Sequence, residues 1–241
     1  RRVLFRSIVA GVFVKLYGIV GIPFIFFSKD YKKIIAYVIL WSIILFCLPM
    51  FISSPEFITR SYVDWYHCLL EKNIENISSY QNNAMTDISA MGFVKRVSGF
   101  YDIPNFYFII PAGIVTLLPL YRFSKWKVVN FQLSYLAQLL IGLVIFSTSA
   151  ESPTYVIAVV GFGIWYVLFA PKPPQWLFVL LIFVLILTVF SPTDLFPEYL
   201  REAFVIKYSL KALPCFISWI IISYHLLFAN FQSNSHYEQE A

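Results

Sequence analysis

Charge is what this chain has least of. Asp, Glu, Lys and Arg make up 13% of its 241 residues, against 59% hydrophobic residues, and the mean hydropathy is +0.73. A soluble globular domain carries roughly 25% charged residues, so the composition argues against one. Cysteine is almost as scarce. Cys47, Cys68 and Cys215 stand far apart, which excludes a disulfide framework and a cysteine-based metal site. Cys47 and Cys215 lie in apolar runs and read as small packing residues. No P-loop, GxSxG elbow, dinucleotide fingerprint or metal-ligand cluster is present, so nothing points to a cofactor. No internal repeat and no low-complexity tract is visible.

What fills the chain instead is long runs without any Asp, Glu, Lys or Arg: 34–55, 103–121, 128–150, 152–171, 173–193 and 212–237. A helix needs about 20 mostly apolar residues to cross the hydrocarbon core. The expected fold class is therefore all-α, a polytopic transmembrane bundle of about seven helices. They are expected near 8–27, 34–52, 104–120, 130–146, 154–169, 176–190 and 207–228. A β-barrel would show strict alternation of polar and apolar residues, which these runs lack.

The first seven residues, Arg1 to Ser7, read as the in-frame translation of a sequencing adapter, or else as a basic membrane-flanking segment. The chain also opens without Met. The native protein is thus expected to begin near Ile8 and to have a further N-terminal part. Residues 8–228 are expected to form a single transmembrane domain with an outer loop at 51–102. Residues 229–241 are expected to be a polar cytoplasmic tail.

Seven helices sort their connections onto two sides. Residues 28–33, 121–129 and 171–175 each carry Lys or Arg, and with the tail they form one set. The other set is 51–102, 147–153 and 191–206. The positive-inside rule places the first set in the cytoplasm, so a multi-pass protein of the plasma (inner) membrane is expected. Ten of the thirteen acidic residues fall in the second set. The net charge of +5 is scattered between helices, as topology charges are, and does not signal nucleic acid.

The segment 51–102 is too long for a connector. Its aromatic residues around Asp64-Trp65-Tyr66-His67 suit a short amphipathic helix at the interface. Tyr80, Gln81, Asn82 and Asn83 offer a row of donors and acceptors suited to sugar hydroxyls; a capping cluster for a helix at 84–94 reads equally well. Lys95 and Arg96 either stabilise that helix's C-terminus or bind a lipid phosphate. Lys15 lies inside an apolar run, where a charge is costly. It either snorkels or meets a lipid phosphate at the interface. Glu151 is the one charge in the turn Ser147–Pro153, a general base or a solvated turn residue. His67 reads as interfacial and His225 as packing.

Val14-Lys15-Leu16-Tyr17-Gly18 with Pro23, Gln81-Asn82 ahead of a basic residue, and Ser147-Thr148-Ser149-Ala150-Glu151-Ser152-Pro153 together resemble glycosyltransferase family 87. The resemblance covers Ile8 to about Phe228. It implies a C-type membrane fold, a sugar donor carried on a polyprenyl phosphate, and a glycan or glycolipid acceptor. It implies inverting displacement with a carboxylate base, the key acid lying in a first outer loop upstream of Ile8. Lys15 matches the family's lysine ahead of a proline; Gln81 and Asn82 match its Asn-Gln-Ser pattern only loosely. Where the family's Ser-Pro turn often runs into histidines, this chain has Thr154-Tyr155, which leaves Glu151 as the local catalytic candidate. Two other classes fit the same composition: a transporter or flippase, and a non-catalytic membrane subunit.

Overall fold

The computed structural model describes residues 8–13, 16–78, 87–147 and 150–231. Lys15 and Tyr80–Asn83 lie outside them. Among the described residues every regular element is helical, so the fold is all-α. The chain forms two compact units, Arg1–Glu75 and Asn76–Ala241.

In the first unit a helical turn at 8–13 precedes a 3₁₀ helix, Leu16–Phe27. Gly18 lets them touch. A Cβ there would stand 2.7 Å from the Val12 nitrogen and 2.8 Å from the Ile8 oxygen. Ile25 and Ile34 are buried, with Ile8 and Val38 against them. Helix α1, Tyr31–Cys47, continues as a 3₁₀ turn, Leu48–Phe51, where Pro49 removes a backbone donor. Ile39, Leu40 and Ile43 of α1 are exposed, which water would not tolerate but lipid would. Helix α2 is Pro55–Ser78, and it is capped by Ser54, whose hydroxyl accepts the Phe57 N–H at 3.2 Å. The short interfacial helix expected here is thus 24 residues long. Tyr62 of α2 stacks on Phe46 of α1, 4.9 Å between centroids.

The second unit holds α3 (Ala90–Ser98), α4 (Phe106–Leu117), α5 (Val129–Ile145), α6 (Tyr155–Val167), α7 (Gln175–Val184) and α8 (Leu213–Phe228). The helix expected at 84–94 begins instead at Ala90. Ser89 is its cap, its hydroxyl accepting the Gly92 N–H at 3.1 Å. Helices α5, α6 and α8 make the core. Phe131, Tyr135, Ile141, Phe162, Trp165 and Ile222 are buried there. A polar bond crosses it, from Gln138 Nε2 to Ser223 Oγ at 2.8 Å. The seventh helix, expected from 207, begins as a helix only at Leu213. Ser209 breaks the chain with a left-handed φ of 53°, and a 3₁₀ turn, Leu210–Ala212, leads in.

Two helices, Tyr31–Phe51 and Leu210–Phe228, are long and apolar enough to cross a membrane. Shorter apolar helices occupy Tyr17–Phe27, Phe106–Tyr121, Val129–Ile145, Ser152–Val167 and Gln175–Phe190. Their outer faces carry Ile110, Ile114, Val156, Val160, Phe178 and Val179, all exposed. So much bare aliphatic surface marks contact with lipid.

The two ends of α8 meet different loops. At its C-terminus Arg122 Nη1 donates to the Leu226 carbonyl at 2.7 Å and Lys125 Nζ to the Phe231 carbonyl at 2.8 Å. Cations suit the negative end of a helix. At its N-terminus three polar segments converge.

Candidate active site

The three segments are 87–98, 150–155 and 191–211. Arg96, on α3, joins two of them: Nη1 donates to the Ile206 carbonyl at 2.8 Å and Nη2 to the Asp87 carbonyl at 3.1 Å. The Ser209 hydroxyl donates to the same Asp87 carbonyl at 3.0 Å. The Tyr155 hydroxyl, at the start of α6, donates to the Ile88 carbonyl. Asp87 is buried, and its Oδ1 accepts the Ser89 N–H at 2.8 Å.

Lys211 makes the remaining tie. It is 5% exposed. Its Nζ donates to the Ser152 carbonyl at 3.1 Å and to the Ser152 hydroxyl. It also lies over the Tyr155 ring, 5.1 Å from the centroid, a cation–π contact. Thr188 Oγ1 fixes the local backbone by donating to the Lys211 carbonyl at 3.0 Å.

These contacts enclose a pocket of about 330 Å³ lined by Ile88, Ser152, Ser191, Pro192, Arg201 and Lys211, among others. Arg201 is paired at 3.7 Å with Glu198, whose side chain is 76% exposed. An exposed pair of that kind contributes little, so Arg201 keeps its charge for the pocket. Among the described residues Lys211 has no carboxylate partner; its neighbours are neutral oxygens and a ring. A buried cation without a counter-charge is expensive. An anion in the pocket would offset that cost, and phosphate matches the donors. Among the described residues no group of three His, Cys, Asp or Glu could hold a metal ion.

Among the described residues the sequence-derived candidates Lys95, Arg96 and Glu151 do not line this pocket. Lys95 is wholly buried and donates from Nζ to Asn105 Oδ1 at 2.6 Å. Burial lowers its pKa, and Asp87 and Asp102 partly restore it. Arg96 donates from both arms of its guanidinium to main-chain carbonyls. Glu151 is exposed in extended backbone directly before the pocket residue Ser152. Lys15 and Tyr80–Asn83 are outside the described residues. His225 packs among Phe169, Trp165 and Phe231. Sequence reasoning missed Lys211 and Arg201. The available signal was a lysine abutting a charge-free run, the argument already used for Lys15.

A chain that is all-helical among the described residues, with a lipid-facing surface and a cationic pocket at one end of its bundle, falls in the class of helical membrane proteins. The sequence narrows this further. The family model for Glycosyltransferase family 87 matches residues 7–192, and the chain belongs to that family. It is a membrane glycosyltransferase, not a transporter. The match includes Ile88, Ser152, Ser191 and Pro192 of the pocket and ends before Arg201 and Lys211. No curated protein and no solved structure matches the chain.

Proposed function

We propose that the chain moves a hexose, mannose in the first instance, from a polyprenyl-phosphate donor to a glycan or glycolipid acceptor. The reaction takes place at the outer face of the plasma membrane, in a multi-pass protein of about seven spans. The observation that carries this is Lys211: a buried lysine with no carboxylate partner among the described residues, beside Arg201, in a pocket at the membrane-entry end of α8. A polyprenyl phosphate has its anion at that depth and its chain in the lipid.

In this reading Lys211 and Arg201 hold the donor phosphate. An acceptor hydroxyl loses its proton to a carboxylate and its oxygen attacks the anomeric carbon. The bond from that carbon to the phosphate oxygen breaks, and the electron pair leaves with the phosphate. The added negative charge on the leaving group is stabilised by the two cations. Glu151, next to Ser152, is the proposed base within this chain. If Lys15 and the stretch Tyr80–Asn83 also serve, they act as a further phosphate contact and as sugar-hydroxyl partners.

The test is binding of a short-chain polyprenyl phosphate to the protein in nanodiscs, followed by transfer of labelled hexose from the loaded donor. Lys211→Met should weaken phosphate binding about tenfold or more, the worth of one charge-assisted contact. Equal binding by Lys211→Met and the unaltered protein would sink the proposal.

A further inference from the structure

A second pocket lies at the other end of α3, and the phosphate site makes no use of it. Gly99 ends α3 in the left-handed region, φ 75°, donating its N–H to the Lys95 carbonyl at 2.9 Å. The chain then loops out and re-enters as α4 at Asn105. One bond spans that excursion: Lys95 Nζ to Asn105 Oδ1 at 2.6 Å, both residues buried. The loop is therefore held at both ends by an interior contact.

The pocket so formed has a volume of about 450 Å³ and is lined by Phe100, Tyr101, Asp102 and Tyr107, among others. Phe100 is 68% exposed and Tyr107 61%. Tyr107 lies beside Phe106, 4.3 Å between ring centroids. Aromatic faces beside one exposed carboxylate select a ligand that is apolar on one side and hydroxylated on its edge. A pyranose ring is such a ligand: its axial C–H groups lie on the ring face and its hydroxyls reach the carboxylate. Asp102 repels an anion, so this pocket complements the cationic one.

We infer that the pocket at 99–107 binds a pyranose ring of a neutral saccharide. Resting on the proposed transferase reading, that saccharide is the acceptor glycan. Helix α3 connects the two sites. It begins just after Ile88 of the phosphate pocket and ends at Gly99, nine residues that span about 13 Å. Lys95 is then a positioning residue for the saccharide loop.

The experiment titrates neutral gluco-, galacto- and manno-oligosaccharides against the protein in nanodiscs, read by saturation-transfer NMR. Polyprenyl phosphate affinity is measured on the same samples. At least one saccharide should bind. Tyr107→Ala and Asp102→Asn should each weaken it about tenfold, Tyr107→Phe should keep it, and phosphate affinity should not move in any of the three. The inference is overturned if no neutral saccharide binds, or if Tyr107→Ala and Asp102→Asn bind as the unaltered protein does. It is also overturned if Tyr107→Ala changes only the depth of the loop against brominated lipid, since the ring is then a membrane anchor. Loss of the phosphate reading leaves the saccharide titration intact, so the two failures are distinguishable.

Discussion

Arg96 and Ile206 are 110 residues apart and joined by a hydrogen bond of 2.8 Å from Nη1 to the carbonyl. The other arm of the same guanidinium reaches Asp87. A planar fork with donors on both arms can serve two carbonyls at once; an ammonium is a point donor. Arg96→Ala should destabilise the protein by about 1–3 kcal/mol, and Arg96→Lys should recover less than half of it. Thermal unfolding in detergent measures the loss. Hydrogen exchange should rise at 87–89 and 204–209 and stay unchanged in α5. Protection unaltered at both segments would show that the clamp contributes nothing.

Lys95 gives a pH dependence whose sign is fixed. Burial lowers its pKa below that of the unfolded chain. Between the two values the unfolded state binds more protons, so stability rises with pH across that alkaline window. The stabilising term is complete above the unfolded pKa and is lost as pH falls through the folded one. In Lys95→Met that rise should be absent. The comparison is the difference in melting temperature between the two proteins as a function of pH. A difference that stays flat through the alkaline range would refute the assignment.

Gly18 and Gly163 should respond oppositely to alanine. A Cβ at Gly18 meets backbone atoms of Val12 and Ile8 below 3.0 Å; at Gly163 nothing lies within 4 Å. Gly18→Ala should cost about 1–3 kcal/mol, because main chain must move. Gly163→Ala, on a helix, should be neutral or stabilise by up to about 1 kcal/mol. Melting temperatures of the two variants check the contrast.

Gln138 and Ser223 should also be asymmetric. Ser223 keeps a second bond, from its hydroxyl to the Trp219 carbonyl at 2.7 Å, so Gln138→Leu removes a partner it can spare. Ser223→Ala leaves the buried Gln138 amide without its acceptor, at a cost of about 1–3 kcal/mol. Gln138→Leu should cost less than Ser223→Ala. The reverse order in denaturant unfolding would contradict the geometry.

The helical class and the rough places of the apolar helices were legible in the sequence, because hydrocarbon thickness sets a length that charge-free runs display. Helix ends were not. Pro49, Ser209 and the wide turn Leu185–Phe190 change the helix type within runs that read as uniform. Lys95 and Arg96 show a second limit. Adjacent residues on a helix point about 100° apart, so one is buried and the other bridges loops, and nothing in the pair of letters says which. That 147–153 and 191–206 would work with the long loop was legible from their shared polarity. Lys211 was not, because it reads as a flanking lysine in the first turns of the 207–228 span. Its partner Ser152 lies 59 residues away, a separation no local pattern encodes.

The hydrogen bonds by which Arg96, Ser209 and Tyr155 reach Asp87, Ile88 and Ile206 end on main-chain oxygens. A carbonyl is there whatever side chain its residue bears. That mounting is therefore blind to the identity of Ile88 and Ile206, although both wall the pocket proposed for the phosphate. Evolution, or an engineer, can recut those two walls for a bulkier lipid or another sugar without rebuilding the frame that holds them.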